Sequence, residues 1–341
     1  MTYPSTYRAM QVSEPGWLEL VERATPAPAA DEVLIAVDAC GICGADAADI
    51  ERGRPAQPPR VPGHEVVGRL VALGAAVPPI WRLGQRVGVG RLGGHCQVCA
   101  WCRRGQFQLC GNQPVVGASR DGGYAEMMLA RATGLVEIPD ELDAEQAAPI
   151  LCAGIATFNA LKKCGTEAGD TVAVLGIGGL GHLALQYARR MGFRVVAVGR
   201  GAAIAEEALA LGAHRYIDTE REDAAARLLS LGGARAILST IGDAPAVAAL
   251  MAGLAPQGRL VVLGAGKDPL PVSAGHLVGG ERGVIGSITG TPHENERTLD
   301  FSVLAGVRPR IETLPLEQAA LAYQRMRSGE VRFRMVLTMR R

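Results

Sequence analysis

Residues 171–190, TVAVLGIGGLGHLALQYARR, limit what this chain can fold into more than any other stretch. The apolar run 172–175 suits a buried parallel strand. Leu180, Leu183, Ala184, Tyr187 and Ala188 then follow the spacing of one helix face. Between them Gly176, Gly178, Gly179, Leu180 and Gly181 spell a G-x-G-x-x-G turn. A glycine turn joining strand to helix is the context in which that pattern binds a dinucleotide. The first glycine allows the tight turn, the second lets backbone approach a pyrophosphate, and the third lets helix and strand pack closely. The helix N-terminus offers the anion free N–H groups and the positive end of its dipole. The plain alternative is a glycine-rich turn in some other α/β domain.

Downstream the pattern repeats. Strand candidates 194–198, 236–239 and 260–263 alternate with helix candidates 179–190, 203–211 and 245–254, and 283–285 adds a closing strand. Repeated βα units imply a doubly wound parallel sheet. Upstream, 1–150 reads mainly as β-structure: 32–38 alternates, while 66–72 and 86–89 are short apolar runs between Gly and Pro. A chain of 341 residues is expected to hold two domains. The expected layout is a β-rich domain over 1–153, a parallel-sheet domain over 154–290, and a helical linker near 153–163. Residues 291–341, with one helix (317–328) and one strand (331–338), are too little for a domain and are expected to rejoin the first.

Charge and composition exclude several classes. With 35 basic and 34 acidic residues the formal net charge is +1, which makes no case for nucleic acid or an anionic membrane. The first residues, MTYPSTYRAM, lack the apolar core of a signal peptide. The most apolar later stretch, 147–161, is short and carries Pro149 and Asn159, so it suits a buried helix better than a membrane span. A soluble, cytoplasmic protein with a small-molecule substrate is expected.

Eight cysteines remain to be placed. Cys96, Cys99, Cys102 and Cys110 stand as C-x2-C-x2-C-x7-C, in a lobe over about 91–111. Four thiolates on short loops suit a tetrahedral structural zinc, with redox cysteines or disulfides as the alternatives. Arg103 and Arg104 lie inside the loop and can offset the site's negative charge. All four positions would be filled, so this zinc would do no chemistry. Cys43, His64 and Cys152 supply two more thiolates and an imidazole. Taken singly, each reads equally well as a core residue. As a set they match the two-cysteine, one-histidine donor group of the catalytic zinc in alcohol dehydrogenases, a match of residue types and not a derivation from spacing.

The combined motifs resemble the zinc-dependent medium-chain dehydrogenase/reductases, the alcohol dehydrogenase family. They are Cys43 in a C-G-x-D context, Gly63-His64-Glu65, the four-cysteine lobe, Cys152 and the turn 176–181, in the family's order along essentially the whole chain. The resemblance implies an α/β protein in which a Rossmann doubly wound parallel sheet is inserted after a GroES-like, β-rich catalytic domain, with the active site in the cleft. It implies that Cys43, His64 and Cys152 hold a catalytic zinc, so that each chain carries two zinc ions. Glu65 would be an occasional alternative ligand, Asp46 would orient His64, and Thr157 would lie near the nicotinamide. It implies hydride transfer between a nicotinamide cofactor and a carbonyl or alcohol carbon, and a homodimer or homotetramer paired along the Rossmann sheet edge. Cys40 and Cys164 stay outside the assignment.

Three local features refine that expectation. In NAD-binding units a carboxylate about twenty residues after the first glycine bonds the ribose 2′-OH. Here 194–198 ends in Gly199-Arg200-Gly201, with no carboxylate before Glu206. Arg200 can pair with a 2′-phosphate, so NADP(H) is expected over NAD(H). Second, relatives place Ser or Thr two residues after the zinc cysteine, and many place His three further on, as a proton relay. This chain has Ala45 and Ala48, which can neither donate nor accept a proton. Asp49, Glu51 or the cofactor ribose would have to substitute. Otherwise the chemistry is reduction of an activated C=C or C=N bond; a non-catalytic binding protein is the alternative of a different class. Third, Arg91 stands where relatives carry a pocket-lining aromatic. A cation there needs a carboxylate such as Asp49, or an anionic substrate, to neutralise it.

Overall fold

The computed structural model describes residues 3–51, 59–264 and 266–339. They form two compact units, one within Met1–Ile155 and Gly290–Arg341, the other within Ala156–Thr289. The divides fall at 155/156 and 289/290, against the expected 153/154 and 290/291. Ile150 and Leu151, just before the first divide, are packed into an apolar cluster with Val136, Leu142 and Leu299 of the first unit.

The first unit begins with β1 (Thr6–Glu14), β2 (Trp17–Ala24), β3 (Glu32–Ile42), β4 (Val66–Leu73), β5 (Arg86–Val89), β6 (Met127–Arg131) and β7 (Leu135–Glu137). The second holds β8 (Thr171–Leu175), β9 (Arg194–Gly199), β10 (Arg215–Asp218), β11 (Ala234–Ser239), β12 (Leu254–Val262) and β13 (Gly283–Gly286). The chain closes in the first unit with β14 (Ile311–Pro315) and β15 (Arg334–Thr338).

In the first unit a sheet of order β14-β15-β3-β4-β5-β7, with β6 also on β3, holds the long strand β3 at its centre. β15 pairs antiparallel with β3, Met335 opposite Ile42. The alternation read over 32–38 suggested a strand with one wet face. Instead Val33 to Val37 are all fully buried, and the strand runs on to Ile42. A strand covered on both faces is continuously apolar. Here one face meets the cluster of Leu34, Ile35, Leu70 and Tyr124, and the other that of Ala39, Val67 and Val336.

The second unit is a parallel sheet of order β10-β9-β8-β11-β12-β13. The order reverses direction at β8, and ligands of such sheets sit beyond the strand carboxyl ends at that switch point. Several elements escaped the sequence reading, among them the helices Ala274–Val278 and Pro292–Ala305 and the strand β14, so 291–341 holds more than the one helix and one strand expected there. β10, RYID, is too short and polar to signal itself, and the helix Ala224–Ser230 is marked mainly by its N-cap, Asp223. No helix among the described residues is long and apolar enough to cross a membrane.

Candidate metal centre and dinucleotide turn

The register of β3 against β4 builds the buried site. Cys40 pairs with Val66, and Gly41 N–H donates to the Glu65 carbonyl at 3.0 Å. His64 and Glu65 therefore stand beside the end of β3, where Cys43 begins a turn into the helix Asp46–Ile50. Cys152 arrives from the π-helical turn Ile150–Gly154, whose Leu151 carbonyl accepts from Asn295 Nδ2 at 3.3 Å. One ligand atom each from Cys43, His64, Glu65 and Cys152 lies within 4.8 Å of the others, and all four residues are buried.

The chemistry of this group fits a metal. His64 Nδ1 is 2.7 Å from Asp46 Oδ1 and donates to it, which fixes the tautomer. His64 Nε2 is buried and has no hydrogen-bond partner. A buried imidazole nitrogen aimed at two thiols, 3.9 Å apart, is costly unless something binds it. In the metal-free protein, the hydrogen bond from Cys152 pulls Cys43 well below the ordinary thiol range. The same bond and burial push Cys152 well above it. Burial works against charge on His64, but Asp46 and Cys43 raise it to about 10. A metal takes thiolates and a neutral imidazole, so binding here would displace protons from the group.

Glu65 is held by Arg334, whose Nη2 donates to both carboxylate oxygens. Burial lifts Glu65 to about 7 while the guanidinium pulls it down. Sequence reading missed Arg334. Its signal was a lone cation at the head of a largely apolar strand, RMVLT.

Ala45 and Ala48 are both exposed. Of the groups expected to replace their relay, Glu51 is committed elsewhere: it accepts from Tyr323 OH at 2.7 Å and pairs with Arg327 at 3.0 Å. Asp49 pairs with Arg91, Nη1 to Oδ2 3.0 Å, and the same Nη1 lies 3.3 Å from His64 Nδ1. Arg91 is 25 % exposed and Asp49 3 %.

The four-cysteine lobe is built locally. Cys96, Cys99, Cys102 and Cys110 are free thiols whose sulfurs gather within 4.8 Å, with no disulfide among them. Asn112 Nδ2 donates to Cys96 Sγ at 3.4 Å, and Cys96 N–H to Cys110 Sγ at 3.3 Å. Asn112 and nearby backbone N–H groups bring Cys96 down to about 6, whereas desolvation and the neighbouring thiols drive Cys102 up to about 12.

In the second unit Gly176 has φ +90°, and a side chain on Gly181 would collide with the Gly176 carbonyl, so both glycines are required by the turn. A Cβ on Gly178 would meet nothing within 4 Å, which leaves the open cradle a pyrophosphate needs. Thr240, absent from the sequence reading, clamps the turn through Oγ1 to the Leu175 and Gly176 carbonyls at 2.9 and 3.1 Å. Thr157 is buried in the helix Ile155–Lys163. Arg200 is exposed after Gly199, with no partner among the described residues. The neighbouring strand adds a carboxylate that linear reading could not see. Asp218, opposite Gly199, accepts from Gly201 N–H at 2.8 Å and Glu220 N–H at 3.0 Å.

Residues 29–140 match the alcohol dehydrogenase GroES-like domain and residues 179–303 the zinc-binding dehydrogenase domain. The chain is 42% identical to the alcohol dehydrogenase patD of Penicillium expansum, over 99% of each chain. It belongs to the zinc-type medium-chain alcohol dehydrogenases. As a member of that family it is an oxidoreductase that uses zinc and a nicotinamide cofactor. Solved relatives carry either dinucleotide. Acetophenone reductase from Geotrichum candidum NBRC 4597, in complex with NAD, has 25% identity and a TM-score of 0.87 over 99% of this chain and 98% of its own. CAD from Helicobacter pylori, complexed with NADP(H), has 25% identity and a TM-score of 0.85 over 98% of both chains.

Proposed function

We propose that this medium-chain alcohol dehydrogenase moves a hydride between NADP(H) and a carbonyl or alcohol carbon, with zinc held by Cys43, His64 and Cys152 and a second, structural zinc held by Cys96, Cys99, Cys102 and Cys110. The observation that carries the reading is the unpartnered, buried His64 Nε2 facing two thiols. Bound there, zinc supplies a Lewis acid for the substrate oxygen, and the nicotinamide supplies or accepts the hydride. The chain's own residues do the rest. Asp46 holds the His64 ring and its tautomer. Arg334 Nη2 holds both Glu65 carboxylate oxygens and would keep them from a zinc bound there. The N–H groups at the start of the helix Gly181–Arg190 take the pyrophosphate.

The missing hydroxyl and imidazole at Ala45 and Ala48 favour a second reading, reduction of an activated C=C or C=N bond, where proton traffic on a substrate oxygen matters less. In either reading the Arg91–Asp49 pair is a charge-balanced polar wall. It favours substrates bearing a hydrogen-bond acceptor over plain aliphatic alcohols, and an anionic substrate is not needed to balance Arg91. The open edge of β13, with Val278 and Ile288 exposed nearby, supports pairing with a second copy in a homodimer or homotetramer.

For the cofactor, Arg200 supports NADP(H) through charge-assisted bonds to a 2′-phosphate. Asp218 is the feature that favours NAD(H), since a carboxylate at this turn could accept the ribose hydroxyl. Its Oδ1 is already taken by two backbone N–H groups, and Arg221 lies 3.6 Å from Oδ2. The specificity constants for NADPH and NADH test the choice. NADPH is expected to lead, and Arg200→Ala to cost NADPH roughly tenfold or more while sparing NADH. A lead for NADH, or an unchanged ratio in the variant, would give the position to Asp218.

A further inference from the structure

Asp46 is more than a partner of His64. Its Oδ2 accepts the Cys43 backbone N–H at 2.9 Å and the Tyr124 hydroxyl, also at 2.9 Å, while Oδ1 takes His64 Nδ1. One buried carboxylate thus ties together a thiol ligand, the imidazole ligand and a phenol. Tyr124 is itself anchored to the segment that leads into His64. Gly122 N–H donates to the Val61 carbonyl at 2.7 Å, Gly123 N–H to the Gly63 carbonyl at 3.0 Å and Tyr124 N–H to the Pro62 carbonyl at 3.0 Å. The ring fills the place a side chain on Gly63 would take, and Gly63 stands at φ +97° directly before His64. Met10 N–H on β1 closes the arrangement by donating to the Tyr124 carbonyl at 2.8 Å.

From this geometry we infer that Tyr124 is a positioning residue for the metal: its hydroxyl fixes the Asp46 carboxylate, and through it the His64 ring and the Cys43 turn. The inference rests on the reading of Cys43, His64 and Cys152 as zinc ligands. A carboxylate that loses one of three hydrogen bonds in a site closed to water gains freedom to rotate, and the imidazole it holds rotates with it. Partners outside the ligand shell alter metal affinity by 10–100-fold. Tyr124 stands one bond further out, so about tenfold is expected.

The test uses the full-length protein, with the four-cysteine lobe as a reference inside the same molecule. Zinc is withdrawn from wild type and from Tyr124→Phe by a chromophoric chelator, and cobalt is then loaded in its place. Tyr124→Phe keeps the ring and its packing. It should release one of two metals about tenfold more readily, and shift the visible cobalt bands of that site alone, while the metal of the four-cysteine lobe stays as tightly held. In an Asp46→Asn background the same change should add little, because the hydroxyl acts through the carboxylate. Unchanged chelator competition, equal weakening of both metals, or full additivity with Asp46→Asn would each overturn the inference. Wild type that takes up a single metal would instead remove the zinc reading beneath it.

Discussion

The two cysteine clusters of this dehydrogenase use similar donors in opposite surroundings. The four-cysteine lobe draws every thiol from one short loop, with Cys96 and Cys99 partly exposed. The other cluster draws Cys43, His64 and Cys152 from distant parts of the chain and buries them, with His64 and Glu65 fully shielded. The lobe needs only local turns and a few N–H donors to bring its sulfurs together. The buried cluster needs a sheet register, a π-helical turn and a charged pair. A local set of four thiols fills a tetrahedral shell and stops there. A set assembled by tertiary structure can leave one position free, provided a competing carboxylate is restrained. Arg334 restrains Glu65.

Ligand removal should separate the clusters most sharply. His64→Ala should lower kcat/KM by at least about a thousandfold, since losing the Lewis acid removes several kcal/mol of charge stabilisation. One metal per chain should remain by elemental analysis. Cys99→Ser should instead lower thermal stability and leave the kcat/KM of the surviving folded fraction near wild type. Equal losses of activity in the two variants would erase the division of roles.

The next effect belongs to the charged pair that only the buried cluster has. Arg334→Ala leaves the Glu65 carboxylate buried without its partner, and denaturant unfolding should register a loss of about 3–5 kcal/mol. Adding Glu65→Gln should restore part of it. A loss within the range of surface substitutions would mean that Glu65 is free to act as a ligand.

Smaller still is the effect at the Asp49–Arg91 pair beside His64. Arg91→Trp, toward the pattern of relatives, should raise activity on hydrophobic alcohols relative to acceptor-bearing carbonyls in a substrate panel. An unchanged ranking would place Arg91 outside substrate recognition. The mildest change is Asn112→Ala in the lobe. It removes one N–H donor to Cys96 and should cost about 0.5–1.5 kcal/mol of stability, with no change in kcat. A drop in kcat would show that the lobe does more than hold the fold.

The sequence by itself was enough for whatever depends on neighbours along the chain. The strand–turn–helix around Gly176, Gly178 and Gly181 and the loop of Cys96 to Cys110 both follow from local spacing, because chain connectivity already holds their parts together. Cys43, His64 and Cys152 were readable only as a family resemblance, since no spacing rule joins residues so far apart. What the tertiary structure alone decided lies on other strands. Register between β3 and β4 brings His64 and Glu65 to the end of β3, and β15 delivers Arg334 to Glu65. A segment paired with residues 61–63 delivers Tyr124 to Asp46. β10 puts Asp218 beside a turn that reads as free of carboxylates. Each of these contacts is fixed by backbone hydrogen bonding between segments far apart in the chain. Such pairing sets the distance between side chains with no trace in their separation along the sequence.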